Sequence, residues 1–79
     1  MWENGTVEAN GRRYDYSAKV YDEGSVHGID GGRISKLLVK RAEDGAWNRP
    51  VVSYDREWDA EPADADAAAA LEAIKAIYR

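Results

Sequence analysis

The sequence predicts an α+β fold, a four-stranded antiparallel β-sheet (a meander) with one C-terminal α-helix packed on one face. Three observations carry this. Apolar and polar residues alternate on both sides of an Asn10-Gly11 pair. A second alternating pair of segments brackets Asp44-Gly45. From Ala65 onward the apolar period changes from two to three and four.

Met1 to Ala9 reads as the first strand and Arg12 to Asp22 as the second. Asn-Gly suits the turn between them, because both positions of a tight hairpin turn need positive φ. A two-residue loop sets Ala9 opposite Arg12, Glu8 opposite Arg13 and Val7 opposite Tyr14. Val7 and Ala9 then share a face with Tyr14, Tyr16, Ala18 and Val20. Glu8 and Arg13 meet on the other face as an opposite-charge pair. Gly5 falls opposite Tyr16, whose ring can cover the bare backbone. Asp22 to Arg33 is a loop holding four of the seven glycines, and a loop of that length is often functional or mobile.

Arg33 to Ala42 reads as strand three, with Leu37 and Val39 alternating against Lys36, Leu38 and Lys40. Trp47 to Arg56 reads as strand four. Pro50 cannot donate a ladder hydrogen bond, so this strand lies at an edge or becomes regular only at Val51. Asp59 to Ala63 is a connector. Asp64 is a good N-cap, and Asp66 places negative charge in the first helical turn. Ala65 to Tyr78 is then a helix rich in alanine, the best helix former. Its apolar stripe is Ala67, Ala70, Leu71, Ile74, Ile77 and Tyr78, with Glu72 and Lys75 on the wet side. Such a helix is too short to persist alone and must lie on the sheet. The expectation is one domain over residues 1–79, with the sheet in 2–57 and the helix in 64–79.

Seventy-nine residues make a small core, so nearly every large apolar side chain is needed in it. There is no cysteine and no phenylalanine, but there are three tryptophans and five tyrosines. Neither disulfides nor thiolate metal sites can brace such a chain. No apolar run reaches the roughly 20 residues that span a bilayer, and Met1 to Gly5 lacks a signal-peptide apolar segment. These features lead us to expect a cytoplasmic protein. The net charge of −4 lies wholly in the last third: residues 1–54 carry eight acids and eight bases, whereas 55–79 carry seven acids against Arg56, Lys75 and Arg79. A nucleic-acid binder shows a clustered basic excess instead.

His27 is the only histidine. Ser25 and Asp30 are near it in sequence, but a glycine-rich loop does not hold a catalytic group in geometry. The bland reading, a solvent-exposed loop histidine, is favoured, and with no cysteine a zinc site is not expected. Gly28 to Gly32 leads into a strand and not into a helix, so the helix N-terminus that would cradle a phosphate is absent. Carboxylates recur at Asp55, Glu57, Asp59 and Glu61, followed by Asp64 and Asp66. In extended chain alternate residues point to one side, roughly 6.5–7 Å apart. Arg56 and Trp58 would point to the other, over the sheet. Three readings compete for this row: a solvated connector, a surface steered onto a basic partner, and a calcium site that lacks its glycine. Arg33, Lys36, Lys40 and Arg41 form the opposite pole, where lysines on a strand can be plain edge protection.

Three segments together resemble a family of small uncharacterised proteins carried by bacterial phages and mobile elements. They are Met1-Trp2-Glu3-Asn4-Gly5-Thr6, Tyr21-Asp22-Glu23-Gly24-Ser25 running into Gly28-Ile29-Asp30-Gly31-Gly32-Arg33-Ile34-Ser35-Lys36-Leu37, and Tyr54-Asp55-Arg56-Glu57-Trp58-Asp59 before Glu61-Pro62. The likeness covers nearly the whole chain and departs at the alanine-rich helix and at Trp47 to Pro50. It implies no catalytic residues and no cofactor. By class alone it implies an inhibitor, as anti-CRISPR proteins are, in which carboxylates occupy a surface built for nucleic acid. The expected function is therefore a non-catalytic acidic module in a bacterial host's cytoplasm. It would dock on a host protein with a basic surface, without contacting nucleic acid or membrane directly. The expected contact residues are Asp55, Glu57, Asp59, Glu61 and Asp64, with Trp58 or Trp47 as an aromatic anchor. The alternative is a self-associating, homodimeric accessory domain, with strand one or strand four paired across a two-fold axis.

Overall fold

In the computed structural model, residues 2–42 and 50–78 are described. They form one antiparallel sheet and one α-helix. The strands are β1 (Trp2–Ala9), β2 (Arg12–Val20), β3 (Ile34–Arg41), β4 (Val52–Asp55) and β5 (Trp58–Ala60), and the helix is α1 (Ala65–Ile77). Spatial order follows chain order, β1-β2-β3-β4-β5, so the sheet is a meander.

The first hairpin forms in the expected register, with Val7 opposite Tyr14, Glu8 opposite Arg13, Ala9 opposite Arg12 and Gly5 opposite Tyr16. Asn10 and Gly11 have φ of 53° and 81°, the left-handed pair that a two-residue turn demands. β3 joins β2 with one irregularity at Lys19/Val20. Ser35, skipped there, is buried and donates its hydroxyl to the Lys19 carbonyl at 3.4 Å.

The sheet has five strands, not four. Strand four stops at Asp55, where Arg56 takes a left-handed φ of 65° and the chain reverses. Trp58 to Ala60, with Asp59 and Ala60 expected in a connector, returns beside β4. The Asp55 N–H closes this turn by donating to the Glu57 carbonyl at 3.0 Å, and two further contacts brace it. The Arg56 N–H donates to the Ser35 carbonyl at 3.0 Å, and the Trp58 ring meets Tyr54 edge to face with centroids 4.9 Å apart. The described part of strand four begins at Val52, and the Asp44-Gly45 turn and Trp47 lie outside the described residues.

One face of the sheet carries Val7, Ala9, Tyr14, Tyr16, Ala18, Val20, Ile34, Leu37, Val39, Val52 and Tyr54, all buried. α1 covers that face with Ala67, Ala70, Leu71 and Ile74. Short alanines let it come close to β1, which is the strand nearest to it. Asp64 caps it as expected, accepting from the Ala67 N–H at 2.8 Å. Two assignments on the helix change. Ile77 is 53% exposed and leaves the apolar stripe, while Tyr78 closes the helix by bonding its hydroxyl to that of Tyr16 at 2.8 Å. Lys75 is not on a purely wet face. It ion-pairs with Asp30 and, at 2.9 Å, with Glu72.

The glycine-rich loop is not featureless. Ile29 to Gly31 makes a single 3₁₀ turn, and the Ile29 side chain is buried in the core. Asp30 sits at φ 55°, a left-handed conformation that aspartate adopts more readily than most residues, and its carboxylate bridges to Lys75.

Candidate functional site

The other face of the sheet faces away from α1. Its side chains fall in cross-strand rows. Trp2, Lys19, Lys36 and Asp55 form one row, and Asn4, Ser17, Leu38 and Ser53 form the next. Thr6, Asp15 and Lys40 form a third. The rows follow from the two-residue strand period, which sends every even position of β1 and, past the irregularity, Lys36, Leu38 and Lys40 of β3 outward. A shallow trough of about 540 Å³ lies across the first two rows, between Trp2 at one end and Asp55 and Asp59 at the other. A second hollow, of about 330 Å³, continues it past Ser17 and Leu38 toward Lys40.

Apolar surface is concentrated at the middle and one end of the trough: Leu38 is 38% exposed and Trp2 54%. The polar lining is already paired. Ser17 donates to Asn4 Oδ1 at 2.6 Å, Ser53 to Asp59 Oδ2 at 3.3 Å and Thr6 to Asp15 Oδ1 at 3.1 Å. Lys36 and Asp55 approach to 3.6 Å. Such a floor offers apolar contact bordered by fixed dipoles.

The acidic row does not survive as a ridge. Its alternation assumed extended chain, but the reversal at Arg56 separates Asp55 and Asp59 from Glu57 at the tip. Asp55 is paired with Lys36 of β3. Asp64 is committed twice, to the helix N-terminus and to Arg41 at 2.8 Å. The Ala67 N–H, and after it Arg41, hold the Asp64 carboxyl below its ordinary pKa. Asp66 likewise takes Asn10 Nδ2 at 2.9 Å and Arg12 at 3.4 Å. Among the described residues Glu57, Asp59 and Glu61 carry no ion pair and are exposed. The structure thus brings Asp55 and Asp59 together on the bare face and sets Glu57 and Glu61 beside them along the β4–β5 edge. Asp64 is removed to the far end of β3. Trp58, 39% exposed, lies against Tyr54 on the helix side, and Trp47 is outside the described residues.

His27 is exposed, and its backbone does the bonding: its N–H donates to Ser25 Oγ at 3.2 Å and its carbonyl accepts from Tyr54 Oη at 2.9 Å. Among the described residues no group of three or more histidine, aspartate or glutamate side chains gathers as a metal site.

Residues 1–79 match the family described as a domain of unknown function, DUF7678. The chain belongs to the DUF7678 family. No curated protein and no solved structure matches it. The family match covers the whole chain. Among the described residues of this DUF7678 chain, no helix is long and apolar enough to cross a membrane. Two residues of its candidate face, Trp2 and Leu38, were not singled out in the sequence. The signal was present in the hairpin pattern: once Val7 and Tyr14 define the core face, Trp2, Asn4, Thr6 and Leu38 must take the other.

Proposed function

We propose that this DUF7678 domain is a non-catalytic protein-binding module whose docking surface is the bare sheet face, rimmed by the acidic β4–β5 edge. In its finer form the reading is an inhibitor carried by a phage or mobile element, seated on a basic, nucleic-acid-binding surface of a host protein. One observation carries the coarser reading. Leu38 and Trp2 are exposed on a trough of about 540 Å³ that no described element covers. Large apolar side chains grouped in a concavity on an uncovered face mark an interaction surface. The charge supports a basic partner: the chain carries −4, and among the described residues Glu57, Asp59 and Glu61 make no ion pair. Exposed carboxylates speed encounter with a basic surface more than they add affinity.

The test is affinity capture from bacterial extract with the wild-type domain, with Leu38→Ser, and with Glu57→Gln/Asp59→Asn/Glu61→Gln. The expected result is a basic protein retained by the wild type, lost with Leu38→Ser, and released at lower salt from the charge-neutralised variant. A capture profile unchanged by Leu38→Ser rejects the face. One unchanged by charge neutralisation rejects the basic partner.

A further inference from the structure

The two edges of this sheet are built differently. β5 is a three-residue strand with an irregular register against β4, a blunt edge of the kind natural sheets use to avoid further pairing. β1 runs for eight residues, Trp-Glu-Asn-Gly-Thr-Val-Glu-Ala, in unbroken register with β2. It contains no lysine, no proline and no bulge; its one charge on the helix side is Glu3.

The ladder decides which backbone groups this edge presents. In a hairpin closed by a two-residue turn, the residues flanking the turn exchange both hydrogen bonds, and bonded and unbonded pairs then alternate. Ala9 with Arg12 is the flanking pair. Ala9, Val7, Gly5 and Glu3 therefore bond to β2. Trp2, Asn4, Thr6 and Glu8 direct their N–H and C=O groups outward, eight backbone groups in a row.

We propose that β1 pairs antiparallel with β1 of a second copy of this chain across a two-fold axis, with Gly5 facing the partner's Gly5. Only in this register do all four outward-facing residues find bonded partners among themselves. Trp2 pairs with the partner's Glu8 and Asn4 with the partner's Thr6, and the two-fold repeats both. Every outward N–H and C=O of both edges is then satisfied. The centre is a non-bonded pair, where Cα atoms approach most closely, and two glycines put no side chain there. Charge fits as well. Glu3 and Glu8 lie on opposite faces of the strand, so neither opposes the other across the axis; Glu3 meets the partner's Val7. The flank of α1 above this edge is the one bearing Asp66, which reaches over to Asn10 and Arg12. Helical spacing places Ala69, Ala73 and Ile77 on that same flank, so the side chains overhanging most of the strand are short. This pairing uses the backbone edge of β1 and not the floor of the trough, which Trp2 and Asn4 also border, and it does not rest on the reading above.

The test is sedimentation of the full chain from micromolar to millimolar concentration, for the wild type, Thr6→Pro and Leu38→Ser, with amide hydrogen exchange on the wild type. The expected wild-type mass rises toward twice the 8.8 kDa of one chain. Thr6→Pro removes one outward N–H that β2 does not use, so it should stay monomeric and folded. Leu38→Ser should dimerise as the wild type does. The Asn4, Thr6 and Glu8 amides should slow by about tenfold or more as concentration rises. A wild type that remains monomeric leaves the edge to some other protein's strand and overturns self-pairing, as does a dimer that persists in Thr6→Pro. If Thr6→Pro does not fold, exchange decides alone: free exchange at those three amides in the dimer overturns the assignment.

Discussion

Adding one methyl group at Gly5 should cost this domain about 2 kcal/mol, and the structure says why. A Cβ built there would lie 2.5 Å from Tyr16 Oη, 2.7 Å from Cζ and 2.8 Å from Cε2. Ordinary contact begins near 3.4 Å, so the ring must lift by roughly 0.9 Å, and no rotation about its own axis frees the terminal atoms. The same hydroxyl is bonded to Tyr78 at 2.8 Å, so lifting the ring strains the link between sheet and helix. Overpacking a core position costs about 1–3 kcal/mol, and a lost hydrogen bond about 1. Against this, Gly→Ala lowers unfolded-chain entropy and returns about 0.4–1 kcal/mol. The balance is a loss of about 2 kcal/mol, or about 8–16 °C in Tm for a domain of this size. Urea unfolding of Gly5→Ala at two protein concentrations measures it, with the second concentration separating any contribution from dimer. In a Tyr16→Leu background the same substitution should become nearly neutral, because the clash has gone. Gly5→Ala as stable as the wild type, or an equal loss in both backgrounds, would refute the reasoning.

Other predictions follow from single contacts. Asp64→Ala should destabilise at neutral pH. Because the folded carboxyl titrates below its ordinary 3.8, the contribution is whole above that value and lost as pH falls through the lower folded one, so the two proteins' stabilities converge in acid. Burial, and after it the Tyr16 hydroxyl, push Tyr78 up from 10.0 to about 12. Its contribution is full below the unfolded value and is lost as pH rises toward about 12. Phenolate absorbance should show a late-titrating component that is lost in Tyr78→Phe. Lys75→Met should release the Asp30 turn, and faster amide exchange or proteolysis confined to residues 22–33 is the readout; an unchanged loop counts against the bridge as its anchor. Tyr14 is fully buried and its hydroxyl has no hydrogen-bond partner among the described residues. Tyr14→Phe should therefore be neutral or stabilising by up to about 1 kcal/mol in urea unfolding, and a clear loss would show that the hydroxyl is satisfied in solution.

The hairpin and the helix were legible in the sequence because each is fixed by local chemistry. Asn10-Gly11 is one of few dipeptides that accept two left-handed residues, and the register followed from it. Asp64 announced the helix by the same local logic. The fifth strand was not legible, because its turn uses Arg56 at φ 65°, where glycine or asparagine would have been the signal. What holds that turn is the Ser35 carbonyl, twenty-one positions earlier in the chain. The acidic row failed for the same reason. Alternation along the sequence was read as one ridge, and a reversal that no nearby residue foretells divided it. Composition located the excess charge correctly in the last third. It could not reveal that Arg12, Lys36 and Arg41, far upstream, neutralise Asp66, Asp55 and Asp64. Ile77 left the apolar stripe because helical spacing defines a face but not how far the sheet beneath extends.

Neighbouring strands are also neighbours in the chain, so the meander can assemble progressively as a ribosome delivers it. Its lid comes afterwards. Until Ala65 to Ile77 emerges, Tyr14, Val39 and Val52 have nothing above them, and Tyr16 lacks the hydroxyl that later fastens it. A nascent chain stalled before Ala65 emerges would present a platform with a greasy top, a natural substrate for chaperones or for clumping. Stability of the completed protein and safety during its synthesis are thus governed by different segments.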